Sequence, residues 1–323
     1  MFRRLRKRLS KEGKPYPLDR SDERVLSSDF QGFVITSDID KTYLATEFDS
    51  IRKLLKTAIE PASDKECVPG MDTLLRSLRR GGDAKPEVWP LYFVSASPPQ
   101  MRSVLEEKMM LDGILSDGIT FKDQWRLVRN RRPEQITEHR LYKLTALLLN
   151  RAQRPLQAEI QEILVGDDSE TDAETYQLYA QLLEGSLSLD ALRQKLLEWE
   201  ATEAELEQVL ELADRRDKSR VCRIYIHRTL QRDLNRFAHL TSPQLFFGDS
   251  SFSIALDALW HGWLREEEVR SIAAKLPALL VSESWKGFAQ TQPELSERFS
   301  SLSASLFDSE ATSAEELEAT PVD

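Results

Sequence analysis

Phe33-Val34-Ile35-Thr36-Ser37 is a short apolar, β-branched run that ends abruptly in Asp38-Ile39-Asp40-Lys41-Thr42. A run of this kind, bounded by polar residues, predicts a buried strand whose carboxyl end opens into a loop. Side chains two apart on an extended backbone point the same way, so Asp38 and Asp40 share one face and Ile39 takes the other. Two carboxylates at one strand end repel unless something positive lies between them. A divalent cation, a phosphate-bearing substrate held by that cation, or a proton shared by the pair would each relieve the repulsion.

The pattern recurs along the chain. Leu91-Tyr92-Phe93-Val94-Ser95, Gly118-Ile119-Thr120-Phe121, Ile163-Leu164-Val165 and Val221 to Ile226 read as further strands. Helical stretches fall between them, at residues 48–60, from Pro69-Gly70 to Arg80, 101–111 and 136–152. Strands separated by helices predict an α/β fold, Rossmann-like, with a mostly parallel sheet and helices on both faces. Ligands in such sheets bind beyond the carboxyl ends of the strands.

The rhythm breaks at residues 185–220, where two Leu-rich helical runs predict an inserted helical hairpin. Its second run opens with Thr202 and Glu205 in capping-box spacing. The hairpin is either a lid or surface padding, and padding is the simpler reading. Beyond Ser242 the expectation is helical, over 251–263, 265–280 and 285–307; Trp260 and Trp263, at i and i+3, are expected in the core. The expected organisation is a basic arm over 1–28, a catalytic domain over 29–308 and an acidic disordered tail over 309–323.

The first twenty residues carry eight basic groups against Glu12 and Asp19, a local +6 in a chain of net charge −10. Phe2, Leu5 and Leu9 would give a short helix there one narrow apolar stripe. The arm reads as a solvated tail, or as a peripheral contact with anionic membrane. The acidic balance of the whole argues against nucleic acid as a partner. Cys67 and Cys222 are the only cysteines, which excludes a disulfide scaffold. With neither a secretory leader nor an apolar span in view, a cytoplasmic location is expected.

Polar groups of complementary kinds follow the expected strands. Asp38, Asp40 and Thr42 follow the first; Ser95, Ala96 and Ser97 follow the second; Gly166-Asp167-Asp168 follows a later one, with Lys143 on the helix before it. This inventory suits binding and transfer of a phosphoryl group. Asp38 would attack phosphorus, and Asp40 would protonate the leaving oxygen and then deprotonate water. Mg²⁺ suits an all-oxygen site, held by Asp38, the Asp40 carbonyl and Asp167. Asp168 or Asp172 would stand at or behind the metal, although Asp172 could equally be a helix N-cap. Ser95, or Ser97 in its place, would bind a phosphoryl oxygen beside Thr42 and Ala96. Lys143 would neutralise the nucleophile and the transferred group unless it is only a solvated helix lysine. Lys122, His227 and Arg228 also follow strands and are weaker candidates for contact with an anionic substrate.

Asp-Ile-Asp-Lys-Thr with Ser95, Lys143 and Gly166-Asp167-Asp168 resembles the four signature motifs of the haloacid dehalogenase superfamily of phosphatases. Pro69-Gly70-Met71, Ser-Ala-Ser-Pro at 95–98, Tyr142-Lys143, the run from Leu164 to Asp172 ending in Glu174 and Tyr176, and Ile-Tyr-Ile-His-Arg at 224–228 narrow it. They resemble the catalytic domain of the actin-patch phosphatidate phosphatase family, over about residues 30–260. The resemblance implies a sheet with a small or absent cap, Mg²⁺ dependence, and phosphatidate or another lipid phosphate as substrate. A soluble sugar or nucleotide phosphate is the alternative, and a non-catalytic scaffold that binds partners is the rival from another class. Two features depart from the family pattern: Lys41 stands where a third acid is usual, and the 185–220 hairpin is extra.

Overall fold

The structure, a computed structural model, describes residues 15–22, 26, 30, 32–45, 61–82, 88–130, 135, 138–153, 160–169, 171–214, 220–229 and 234–307. The helix expected over 48–60, the apolar stripe of the basic arm and the acidic tail lie outside the described residues.

Among the described residues seven strands form one sheet: β1 (Leu18–Asp22), β2 (Phe33–Asp38), β3 (Leu91–Ser95), β4 (Gly118–Lys122), β5 (Gln161–Asp167), β6 (Arg220–His227) and β7 (Leu245–Gly248). Their spatial order is β1-β4-β3-β2-β5-β6-β7. The run β4-β3-β2-β5-β6 is parallel throughout, and β1 joins β4 antiparallel. The helices are α1 (Met71–Arg80), α2 (Arg102–Leu111), α3 (Gln124–Arg129), α4 (Arg140–Gln153), α5 (Asp172–Glu184), α6 (Leu189–Glu198), α7 (Glu203–Asp214), α8 (Ser251–Trp260), α9 (Glu266–Ala273), α10 (Ala278–Thr291) and α11 (Pro293–Arg298). Residues 300–307 are also helical.

The chain divides into two compact units, residues 1–68 with 89–247, and residues 69–88 with 248–323. In the first, every residue of β3 and β4 is buried. That requires cover on both faces of the sheet, which is why Leu91 to Val94 of β3 read as continuously apolar instead of alternating. Val94, Leu164, Ile224 and Ile226 share one core with Leu144, Leu148, Tyr176, Ala180, Leu192, Leu196, Leu206 and Val209. The α6–α7 hairpin therefore contributes its apolar face to the sheet's own core. The Thr202–Glu205 capping box forms as expected, each backbone N–H meeting the other's side chain.

The second unit is helical around α1 and α8 to α11. Gly70, at φ 73°, precedes α1 in left-handed geometry, and Ser251 donates a 2.7 Å hydrogen bond to the Pro69 carbonyl. Gly82 admits a close backbone crossing, since a Cβ there would lie 2.1 Å from the Gly262 carbonyl oxygen. Trp263 is buried as expected, whereas Trp260 is 43% exposed with the Arg298 guanidinium 5.7 Å above its ring.

Two strands escaped the sequence reading. β1 lies inside the stretch assigned to the solvated arm. Leu-Asp-Arg-Ser-Asp carries no apolar alternation, because this edge strand is held by backbone pairing and by charge. Asp19 and Ser21 engage Arg102, and Arg20 engages Asn150. Immediately before it, Tyr16 is buried. β7 is four residues long and half-buried, too short for its period to register.

A buried ion pair ties α4 to β5: Arg151 Nη1 lies 2.6 Å from Glu162 Oε1, and the Tyr179 hydroxyl of α5 reaches both Glu162 oxygens at 3.0 Å. Removing one partner strands a charge in the core. Arg151→Met alone should lower unfolding free energy by about 3–5 kcal/mol in a urea titration. Arg151→Met combined with Glu162→Leu should recover most of that loss; no recovery in the double variant would mean the loss came from packing instead of charge.

Candidate active site

Within the parallel run the chain starts at β2, moves outward to β3 and β4, then returns through α4 to β5 on the opposite side. That reversal makes the carboxyl end of β2 a topological switch point, where open α/β sheets leave a crevice. Register brings the motif loops level. Asp38 is opposite Val94, Ser37 is opposite Val165, and Ser95 and Asp167 are each the last residue of their strand. A crossover helix runs back along the strands, so the first turn of α4, with Lys143, stands at this same edge.

Lys143 is fully buried. Its Nζ lies 3.1 Å from Asp38 Oδ1 and is also paired with Asp172 Oδ1. A cation in the first turn of a helix opposes the helix dipole, and these carboxylates offset that cost. Asp172 opens α5, where the same dipole favours an anion, and its other oxygen accepts the Asp167 N–H at 3.3 Å. One oxygen from each of Asp38, Asp167 and Asp172 lies within 4.8 Å of the others, all three buried. Thr42 Oγ1 reaches Asp167 Oδ2 at 3.5 Å, and the Ser169 N–H donates to Asp167 Oδ1.

Asp40 has different partners. Its Oδ2 accepts the hydroxyls of Ser95 and Ser97, both at 3.1 Å, while the Ser97 N–H donates to Ser95 Oγ at 3.1 Å. The two aspartates of the first motif thus divide the site. Asp38 sits with the ammonium group and the carboxylate cluster, and Asp40 with the serine loop after β3.

Three buried carboxylates (38, 167 and 172) converge beside the ammonium of Lys143, and Asp40 is buried on the serine-loop side of the same strand end. Such an excess of buried negative charge is costly without a further cation, and an all-oxygen donor set fits Mg²⁺ in kind.

The structure gathers Asp38, Asp40, Thr42, Ser95, Ala96, Ser97, Lys143 and Asp167 around one edge, and it places Asp168 differently from Asp172. Asp168 Oδ1 accepts the backbone N–H and the hydroxyl of Thr229, at 2.8 and 2.6 Å, and its own N–H donates to the His227 carbonyl. It fastens the end of β6 to the loop after β5. Asp172 takes the place in the cluster that the sequence left open, and it is not the N-cap, which is Thr171. The signal was Gly166: a Cβ there would lie 2.4 Å from Asp172 Oδ2, so a residue without a side chain is needed for Asp172 to close in. Lys122 is buried as well, donating to the Glu138 carbonyl at 2.7 Å beneath the Tyr142 ring.

Behind the site, the Tyr142 hydroxyl holds the Ser95 and Thr120 carbonyls. Burial, then the charge of Asp38, raises its pKa well above the usual phenol value, so it stays a neutral donor. Tyr43, beside Thr42, is anchored through its hydroxyl to Asp112, which also accepts from Cys67 at 2.8 Å and Lys108 at 2.6 Å. Lys41 crosses the turn at φ 61°, its N–H donating to the Leu44 carbonyl at 2.7 Å.

A family model described as the phosphatidate phosphatase APP1 catalytic domain matches residues 33–194. No curated protein and no solved structure matches the chain.

Gly166→Ala should displace Asp172 and lower both turnover and Mg²⁺ affinity by about tenfold or more. A Mg²⁺ titration of activity, run beside a thermal melt, checks this; unchanged turnover would contradict the role given to Asp172. Burial, then Asp112, pushes the Cys67 thiol up to about 12. The folded state therefore holds this proton more tightly than the unfolded chain does. The resulting stability is complete below the unfolded value of about 8.5 and is lost as pH rises through about 12. A thiol reagent at about pH 8 should reach Cys67 only after unfolding, and prompt labelling of the native protein would contradict the shift.

Proposed function

We propose, from the premise that this chain belongs to the phosphatidate phosphatase APP1 catalytic-domain family, that it hydrolyses a lipid phosphomonoester through a phosphorylated Asp38. The family is one of phosphatases, hydrolases of phosphoric monoester bonds. The observation that carries the mechanism is the pairing of buried Asp38 with Lys143 while Asp40 is held apart by Ser95 and Ser97.

Asp38 attacks phosphorus and forms a carboxyl–phosphate bond as the ester oxygen departs. Asp40 delivers a proton to that departing oxygen, so the alcohol leaves neutral. Water then attacks phosphorus while Asp40 takes its proton, the bond to Asp38 breaks, and inorganic phosphate leaves. Lys143 keeps Asp38 ionised and faces the charge that develops on the transferred group. The Ser95 hydroxyl exchanges its hydrogen bond from Asp40 to a phosphoryl oxygen, with Thr42, Ala96 and Ser97 completing the cradle.

Mg²⁺ would be held by Asp38, the Asp40 carbonyl and Asp167, with Asp172 beside them, and it supplies neutralisation of the phosphoryl oxygens. Asp168 supports this set from behind by fixing the loop. The basic N-terminal sequence supports a peripheral contact with anionic membrane. Among the described residues no helix is long and apolar enough to cross one.

Phosphate release from phosphatidate in detergent micelles and from an aryl phosphate tests the reading. Both activities should require Mg²⁺ and vanish with a chelator. Asp38→Asn should lower both by about a thousandfold or more. Asp40→Asn should harm the alkyl ester more than the aryl ester, whose better leaving group needs less protonation. Full activity in Asp38→Asn would end the assignment of the nucleophile. A chain lacking residues 1–14 should sediment less with anionic vesicles, and equal sedimentation would remove the arm from the account.

A further inference from the structure

We propose that the outer face of α3 is a docking face for an anionic lipid bilayer, set at the rim of the catalytic crevice. This rests on the reading of a lipid phosphate as substrate, and it assigns the surface that would meet the lipid.

Helix α3 begins directly after β4, at the same edge of the sheet where the motif loops emerge, two strands from β2. Its inner face is fixed. Leu127 is buried, Asp123 caps the first turn by accepting the Arg126 N–H at 2.9 Å, and Gln124 Nε2 donates 2.8 Å to the Ala96 carbonyl. That last bond ties the helix to the Ser95–Ser97 loop itself.

The outer face is of another kind. Trp125 and Val128, at i and i+3, are 52% and 47% exposed, and Arg126 and Arg129 beside them are exposed too. The Arg126 side chain stays 56% exposed although its Nε stands 3.7 Å from Asp123, so with Arg129 the described residues 123–130 carry a net +1 in a chain of net −10. An exposed tryptophan among arginines suits the headgroup layer, where the indole is half apolar and the guanidinium groups meet anionic phosphates. A protein groove that takes a helix reads anchors over several turns, and α3 has fewer than two.

Another set of exposed apolar residues among the described ones, Met110, Leu111 and Leu115, is a natural control. It lies at the far end of α2, towards the amino edge of the sheet, where Glu107 is exposed and Asp112 is paired with Lys108 at 2.6 Å, without the exposed arginines that flank Trp125. Its charge does not complement an anionic surface.

The test is co-sedimentation of the full chain with vesicles of three parts phosphatidylcholine to one part phosphatidylserine, against phosphatidylcholine alone. The wild type should bind the anionic vesicles selectively. Trp125→Ala with Val128→Ser, and separately Arg126→Gln with Arg129→Gln, should each weaken that binding by about fivefold or more. Hydrolysis of a soluble aryl phosphate should be unchanged in the Trp125/Val128 pair. Leu111→Ser with Leu115→Ser should bind like wild type. Wild-type binding by both α3 pairs, an equal loss in the Leu111/Leu115 pair, or no vesicle binding by the wild type would overturn the proposal. So would α3 variants that change only the oligomeric state. Vesicle binding without phosphate release from phosphatidate would sink the substrate reading alone. Phosphatidate hydrolysis in micelles without any dependence on α3 at vesicles would sink the docking face alone.

Discussion

A fully buried ammonium, that of Lys143, sits between Asp38 at the end of β2 and Asp172 at the start of α5. An isolated ion at such depth would cost several kcal/mol, and its carboxylate partners would bear a similar penalty without it. Each therefore stabilises the other only while the geometry holds. Three elements distant in sequence are pinned by this contact: the strand bearing the first motif, the crossover helix, and the helix after β5. Among the described residues three carboxylates gather around this one ammonium, an oxygen donor set of the kind that can hold a cation.

Parallel topology is what makes such a contact available. With β3 and β4 on one side of β2 and β5 and β6 on the other, each of these five parallel strands delivers its loop to the same edge. Helices that follow strands present their amino ends there and help to hold anions. Asp172 profits from that dipole, and Lys143, in the first turn of α4, works against it. Gly166 leaves room for Asp172 to approach, and Tyr142 and Tyr43 brace the flanking loops from behind. The serine loop after β3 is in turn fastened to α3 through Gln124, so chemistry and the outer rim share one rigid connection.

Separating the partners of Asp38 and Asp40 gives two like residues unlike environments. One is surrounded by a cation and carboxylates, the other by hydroxyl donors. Differences of this sort are how a pair of identical side chains comes to fill distinct roles in acid–base and nucleophilic chemistry. The α6–α7 hairpin leaves that division alone. Its buried leucines join the sheet's core, so it thickens one layer of the fold.

The amino-acid sequence alone determined the parallel strands β2 to β6, the capping box of α7 and the identity of the motif loops. Each of these is encoded locally: a β-branched run with a polar stop, or a threonine three residues before a glutamate. It could not determine β1, whose polar residues hold the edge by charge and backbone pairing, or β7, which is too short to show a period. Nor could it choose between Asp168 and Asp172. Both follow the same strand, and only the packing of α5 over Gly166 turns one to the cluster and the other to Thr229. Burial of Lys143 was likewise decided by tertiary structure, because the desolvation of a lysine is offset only where the fold brings carboxylates to it.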